Sequence, residues 1–371
     1  MMQMPRTVFV GSRQSVFVAR TQTALLERGL EVSIIDPSVG YSSRVSTMFS
    51  KLRRMFNRYR QTRRMILMEH PESTVVIHYL SIDCFWLIPL LSKRFERVVG
   101  LAYGSDVLRR QKRYDFLLQF GLKKLNGITA TNDNVLDALL EDFPFLNGRS
   151  PQIIRFGLPV FEELQNIDHI SRADAKLRLG FDPEKKVVCL GYSASPGQRQ
   201  IELMDFFSGR LEQHRDCIFV VPVQYGSQGT IADVVERCAA INEQSADHQF
   251  VALTEFFASE KSALLRRATD VLVNHSITDA FSGTVQEVVY AGSLVLAGAH
   301  LPYRKMPGYG TSIQTYENLE AVSARLHADA LEEWRSFAKP HMLESRAALH
   351  ELSSWDGVFD DWLQLVDGRK N

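Results

Sequence analysis

Two carboxylates eight positions apart, Asp279 and Glu287, enclose the stretch "DAFSGTVQE" between an apolar run, "DVLVN" at 270–274, and a valine-rich segment closed by Gly292. Val285, Val288 and Val289 recur at helical spacing, so the segment predicts a strand, a loop and a helix with those valines on its buried face. In a parallel α/β sheet such a loop lies at the carboxyl edge of its strand, where ligands bind. The amides of Phe281, Ser282, Gly283 and Thr284 would be the unpaired donors of the helix start, ready for a phosphate. Gly283 lets the backbone approach closely. Glu287, one turn on, could accept hydrogen bonds from a diol such as a ribose, and Asp279 from hydroxyls of a second sugar beyond the phosphates. Taken alone, Asp279 reads better as a loop residue favoured by the helix dipole and Glu287 as a solvent-facing position. It is their spacing about a small-residue turn that points to chemistry.

The elements that must position these residues alternate along the chain. A strand over 7–10, a helix over about 15–28 stopped by Gly29 and a strand over 31–35 make a βαβ opening. Apolar runs at 74–78, 98–102 and 128–131 follow, each leading into a helical pattern. The alternation pauses at "IIRFGLP" (153–159) and resumes with strands at 187–190, 217–221, 250–253, 271–273 and 294–296. This predicts an α/β protein with two parallel sheets covered on both faces. The expected domains are 1–160 and 161–345. A C-terminal helix over 346–371 would either cap its own domain or cross back to the first. There Trp355, Phe359, Trp362 and Leu363 form one apolar stripe.

With those elements in place, "DAFSGTVQE…G" resembles the signature of the retaining GT-B glycosyltransferases of family 4 (glycosyl transferases group 1), an acidic residue and a glutamate separated by seven with a small-residue turn between. Asp279, Phe281, Ser282, Gly283, Glu287 and Gly292 match it in register, with aspartate where that family usually has glutamate. The resemblance implies the GT-B fold, two Rossmann-like domains facing across a cleft. The first would hold the acceptor and the second the nucleotide sugar. It also implies that the glycine loop at 189–200, "CLGYSASPGQRQ", holds the donor diphosphate through Gly191, Ser193 and Arg199. Tyr192 stands where the family's basic residue follows the first glycine, so Arg199 becomes the candidate cation, a guanidinium suited to phosphate. "AYGSDVLRR" at 102–110 is similar to the family's H-G-S-D segment, which makes Asp106 a candidate for acceptor positioning or proton removal, with Tyr103 in the histidine position. Gly11-Ser12-Arg13 occupies the place of the acceptor loop. His78 closes a strand and could reach the cleft, although a lone strand-end histidine is more often structural.

Composition narrows the reading. Lys plus Arg equals Asp plus Glu at 43 each, which gives no overall attraction to nucleic acid. Cys84, Cys189, Cys217 and Cys238 are widely spaced, against a disulfide framework or a zinc site. That favours a cytoplasmic protein, and no apolar run is long enough to span a membrane. Yet between Pro37 and Met68 stand eight basic residues (Arg44, Lys51, Arg53, Arg54, Arg58, Arg60, Arg63, Arg64) and no acidic one, with Leu52, Met55, Phe56, Tyr59 and Met65 interleaved. A helix over Lys51–Arg64 could rest on an anionic membrane surface, peripheral on its inner face, or be a solvated charged helix. A dinucleotide dehydrogenase is disfavoured because Gly11 has no second or third glycine at the required spacing. A sugar-nucleotide epimerase and a non-catalytic sugar-nucleotide-binding protein remain as alternatives. The expectation is a metal-independent hexosyltransferase with no cofactor. Catalysis would rest on Asp106, Asp279 and Arg199, and the donor, of UDP, GDP or dTDP type, would pass its sugar with retention to a glycan or glycolipid acceptor of a bacterial surface polysaccharide.

Overall fold

The computed structural model describes residues 6–38, 48–244 and 249–367, with side chains for all of these except Val16 and residues 48–52. Arg44, and the side chains of Lys51 and Leu52, therefore fall outside the described residues. The first part of the chain runs β1 (Arg6–Val10), α1 (Val16–Glu27), β2 (Glu31–Ile35), α2 (Met48–Met68), β3 (Thr74–His78), α3 (Cys84–Leu91), β4 (Arg97–Ala102), α4 (Ser105–Leu108), α5 (Asp115–Leu122), β5 (Gly127–Ala130), α6 (Asp133–Asp142) and β6 (Gln152–Ile153). Its strands pair in the order β2-β1-β3-β4-β5-β6, all parallel. Strands β3 and β5 are buried along their whole length, because helices cover both faces.

The second part runs α7 (Val160–Asn166), α8 (Arg172–Arg178), β7 (Lys186–Leu190), α9 (Gln200–Ser208), β8 (Cys217–Pro222), α10 (Gln228–Glu243), β9 (Phe250–Leu253), α11 (Ser259–Ala268), β10 (Val271–Asn274), α12 (Gly283–Tyr290), β11 (Leu294–Gly298), β12 (Ile313–Tyr316), α13 (Leu319–Leu326), α14 (Ala328–Ala338) and α15 (Met342–Ser353). Its sheet, also parallel, is ordered β12-β11-β10-β7-β8-β9. Pro340 separates α14 from α15 in a 3₁₀ turn, because its ring cannot continue the helix. The final helix, α16 (Trp355–Asp367), belongs to the first unit. Its stripe of Trp355, Val358, Trp362, Leu365 and Val366 is buried beside Phe9, Val18, Leu25 and Val76. Trp362 also donates its indole N–H to the Arg155 carbonyl at 2.8 Å.

The chain thus divides into residues 1–157 with 355–371, and residues 158–354. The sequence reading set the junctions at 160 and 345. They move because α15 packs on α12 in the second unit, and because the Leu158 amide bonds the Ser353 carbonyl at 2.8 Å. The two crossings between units therefore lie side by side.

At the amino edge of the second sheet, Asp270 is a buried carboxylate held by Lys176 at 2.8 Å and Arg335 at 2.8 Å, with Arg172 at 3.7 Å; it also accepts the Val187 amide at 2.9 Å. Burial lowers the Arg172 pKa to about 10 against the opposing pull of Asp270. Asp270→Asn would leave Lys176 and Arg172 facing no compensating charge. It should cost the second unit about 3–5 kcal/mol, the range for breaking a buried ion pair, read as a lower urea midpoint for that unit; an unchanged midpoint would refute the role given to Asp270.

In the first unit, the His78 ring lies 4.3 Å from the Phe9 ring and stacks on Trp362 at 6.2 Å. Burial brings its pKa down to about 3: its Nδ1 meets the Tyr103 hydroxyl at 2.6 Å, a neutral partner that does not offset the loss of hydration. The unfolded chain takes up this proton near its ordinary value of about 6.5. Stability is therefore complete above that pH and falls as the pH drops from about 6.5 towards 3, by about 2 kcal/mol at pH 5. In His78→Phe the acid slope of unfolding should shrink by about one proton relative to the parent. Parallel slopes for the two proteins, measured from pH 7 to 4.5, would show that His78 charges freely in the folded state.

Candidate functional site

The order of the second sheet reverses at β7, which continues to β8 on one side and has β10 on the other. The crevice at the carboxyl ends of β7 and β10 is therefore where a ligand of an open α/β sheet binds. The two loops singled out in the sequence meet there. Gly191 leaves β7 with φ +68°, and a Cβ at that position would lie 2.8 Å from Gln198 Oε1, so only glycine lets this turn close. Gln198 is buried; its Oε1 accepts the Tyr192 amide at 3.1 Å and its Nε2 donates to Ser276 Oγ at 2.9 Å. The Ile277 amide donates to the Gly197 carbonyl at 2.8 Å, and Ala194 exchanges backbone hydrogen bonds with the loop after β8 through Tyr225 and Ser227. The loop over 191–199, with Ser193 buried inside it, is pinned from both neighbouring strands.

Asp279 is the node between the loops. Its Oδ2 accepts the Tyr192 hydroxyl at 2.9 Å, Asn274 Nδ2 at 2.8 Å and the Tyr303 hydroxyl, while Oδ1 accepts the Ala280 amide at 2.7 Å. Burial, reinforced by the Asp279 charge, pushes both tyrosine pKa values far above the ordinary range, so both phenols stay protonated donors. With three donors on Oδ2 and one on Oδ1, the room left for a sugar hydroxyl is on Oδ1. Sequence inspection missed Asn274 and Tyr303 in this role. Tyr303 comes from the loop after β11, and nothing in "LPYRKMPGYG" ties it to Asp279.

Phe281 turns the loop in the left-handed region, φ +63°, a conformation that a bulky side chain adopts only when its surroundings impose it. Ser282 opens α12 without capping it, so the amides of Gly283 and Thr284 face the crevice end with no side-chain acceptor. Gly283 also has a packing reason, since a Cβ there would lie 2.9 Å from Leu158 Cδ2. Glu287 is buried one turn on. Its Oε2 accepts Arg266 Nε at 3.0 Å, and Arg266 reaches Thr284 Oγ1 at 3.4 Å. Arg199 opens α9 with φ +52° and a part-exposed side chain; its Nε stands 3.8 Å from Glu202, beyond hydrogen-bond distance. The guanidinium is thus part-exposed and in a loose ion pair with Glu202.

The first unit carries its own cavity, of about 410 Å³, at the carboxyl edge of β1 and β3. Gly11, Ser12, Phe17, His78, Tyr79 and Tyr103 line it. The charged groups of its wall are hydrogen-bonded: both oxygens of Asp83 hold Arg58, at 3.0 and 2.6 Å, and Asp36 accepts the Arg13 amide and both the amide and hydroxyl of Ser38. Asp106 departs from its expected place. It is buried outside the cavity wall, with its carboxylate taken by the amides of Leu80 at 2.8 Å, Gly104 at 2.8 Å and Tyr103 at 3.0 Å. Burial raises its pKa against the pull of those amides. It is the tie that sets the loops after β3 and β4, which is why an aspartate two residues past the turn glycine reads, in sequence, like a site residue.

No protein-family model and no curated protein sequence matches the chain. Solved structures match over its whole length. Sucrose-phosphate synthase from Thermosynechococcus elongatus superposes with a TM-score of 0.72 at 12% identity, covering 97% of this chain and 98% of that one. A UDP-forming α,α-trehalose-phosphate synthase from Burkholderia xenovorans gives 0.72 at 12%, covering 98% and 99%. Anabaena HepE in complex with UDP and glucose gives 0.68 at 11%, covering 97% and 98%. At such identities the likeness speaks for the fold alone. With its two parallel six-stranded α/β units, the chain has the GT-B fold of these glycosyltransferases.

Proposed function

We propose that the protein is a glycosyltransferase that moves a sugar from a nucleoside diphosphate to an acceptor hydroxyl with retention of configuration, in the making of a bacterial surface polysaccharide or glycolipid. The observation that carries this reading is the crevice between β7 and β10, where the uncapped start of α12, the Gly191 loop and the buried Glu287 converge at the topological switch of the sheet. In this reading Glu287 holds the ribose diol with its free oxygen, oriented by Arg266. The Gly283 and Thr284 amides and Arg199 take the charge that develops on the departing diphosphate, without a metal. Asp279 positions the donor sugar. Uridine is the favoured base, since one neighbour is named as UDP-forming and another was solved with UDP. The cavity of the first unit is the acceptor's place: the rings of Phe17, Tyr79 and Tyr103 suit the C–H face of a sugar.

Nucleotide binding tests the donor half. Calorimetry should show UDP binding more tightly than GDP or dTDP, and Glu287→Gln should weaken UDP by about 1.5–3 kcal/mol, the range for hydrogen bonds to a charged group. A folded variant with unchanged UDP affinity would remove Glu287 from the site. UDP binding with no transfer from any UDP-sugar would leave a binding protein.

The proposed retention, which the family resemblance implies, is supported by where the proton can go. Inversion needs a general base beside the acceptor hydroxyl, and Asp106, the carboxylate nominated for it, is occupied by three amides. In the proposed reaction the acceptor oxygen bonds to the anomeric carbon as its bond to the diphosphate breaks, and the diphosphate leaves with the acceptor's proton. Proton NMR of the first-formed linkage should therefore show the donor's own anomeric configuration; an inverted product would end this mechanism and leave the transfer assignment standing.

A further inference from the structure

Within the basic stretch, residues 48–68 form α2, whose described side chains run from buried to well exposed. Inward, Thr62 and Ile66 are buried, and Arg58 turns to Asp83 and lies over Trp86. Outward, Met55 is 60% exposed and Phe56 59%, with Tyr59 40% exposed between them and the arginines. Arg53, Arg60, Arg63 and Arg64 are exposed on the same side, Arg60 resting over the Phe56 ring. Residues 56, 60, 63 and 67 follow one line along the helix with Tyr59 at its edge, so aromatic rings and guanidinium groups share an outer arc, while Met55 is exposed at the start of the line that leads to the buried Thr62 and Ile66.

A second band repeats this chemistry. On α5, Phe116 is 69% and Phe120 59% exposed, one turn apart, with Lys112 and Arg113 before them and Lys123 and Lys124 after, all exposed. The crossovers β2 to β3, β3 to β4 and β4 to β5 all run in one direction across the sheet, so the right-handed rule places α2, α3 and α5 on one face and α1 on the other. Helix α3 joins the bands: Tyr59 packs on Trp86, and Ser92 Oγ bonds the Lys124 carbonyl at 3.2 Å. One helical layer of the first unit thus carries two exposed apolar bands flanked by cations, in a chain whose total charge is zero.

We propose that this layer seats the protein on an anionic lipid bilayer, with α2 lying in the plane of the interface. Charge complementarity fixes the occupant: the stretch holds basic residues and no acidic one, and a surface of lipid phosphates is met by guanidinium groups. A nucleic acid would answer the cations but leave Met55, Phe56, Phe116 and Phe120 in water, whereas an interface buries these and keeps the arginine heads at the phosphates. Among the described residues no helix is long and apolar enough to cross a membrane, so the contact is peripheral. The inference does not depend on the transfer reaction.

The test is sedimentation of the full chain with vesicles of phosphatidylcholine alone or with about a third phosphatidylglycerol. Expected is binding to the anionic vesicles only, falling at least about tenfold between about 50 mM and 0.5 M salt as the surface charge is screened. Arg60→Glu with Arg63→Glu should lower partition at least about tenfold. Met55→Ser with Phe56→Ser should lower it at low salt while leaving all cations in place. Circular dichroism and the unfolding midpoint verify that both variants fold. Equal partition to neutral and anionic vesicles, or none to either, overturns the proposal. So does binding that survives the Met55 and Phe56 substitutions intact and is displaced by RNA, because that describes a general polyanion surface.

Discussion

The candidate site hangs on one carboxylate. Asp279 gathers two phenols, an amide side chain and a backbone amide from the loops after β7, β10 and β11. The same loops also meet through the Ile277 amide on the Gly197 carbonyl, Gln198 on Ser276 and His300 on the Ser276 carbonyl. Without Asp279, Tyr192 and Tyr303 would each bury a hydroxyl with nothing to donate to, at a cost of about 1–3 kcal/mol per group. A charged acceptor makes each of these bonds stronger than a neutral one would be. The strained turn at Phe281 follows from this arrangement. Its left-handed backbone turns the chain from the anchored Asp279 into the first turn of α12.

The two edges of the second sheet are handled in opposite ways. At the amino edge the Asp270 charge is answered by Lys176, Arg335 and Arg172, and the carboxylate also caps the entry to β7. At the carboxyl edge the start of α12 is left uncapped and Arg199 is held only at 3.8 Å from Glu202. The buried charges of the amino edge are thus paired within the unit, while the carboxyl edge keeps the backbone amides of a helix start and a part-exposed guanidinium.

Much of this was legible in the residues, for reasons that also explain what was not. Strands β3, β7, β8, β10 and β11 are buried on both faces and read as unbroken apolar runs. β6 has two residues, and in β12 only Ile313 and Tyr316 are buried, so these edge strands left no run to find. The turn of the Asp279 loop and the helix behind it could be placed because sequence neighbours build them. The partners of Asp279 could not: Tyr303 arrives from a separate βα loop, and only the fold brings it within reach. Asp106 shows the converse error. An aspartate that binds three amides leaves the same local signature in sequence as one that awaits a substrate, and only the fold shows that the amides of Leu80, Tyr103 and Gly104 reach Asp106.

The two departures from the family pattern turn out to be one structural fact. Tyr192 replaces a basic residue and Asp279 replaces a glutamate, and the tyrosine's hydroxyl meets the aspartate's Oδ2 at 2.9 Å. An aspartate is one methylene shorter than a glutamate and so stays close to its own loop, where Asn274 and Tyr303 also reach it. A cation at 192 would pair with that carboxylate and neutralise it. A phenol holds the carboxylate and leaves its charge intact. The crevice therefore keeps a negative group on the side of Tyr192 and has its positive character concentrated at the α12 amides and Arg199. In the proposed reaction that separation puts the attraction for the diphosphate at one end and the acceptor of sugar hydroxyls at the other, so the polarity of the site itself sets which way round a nucleotide sugar lies.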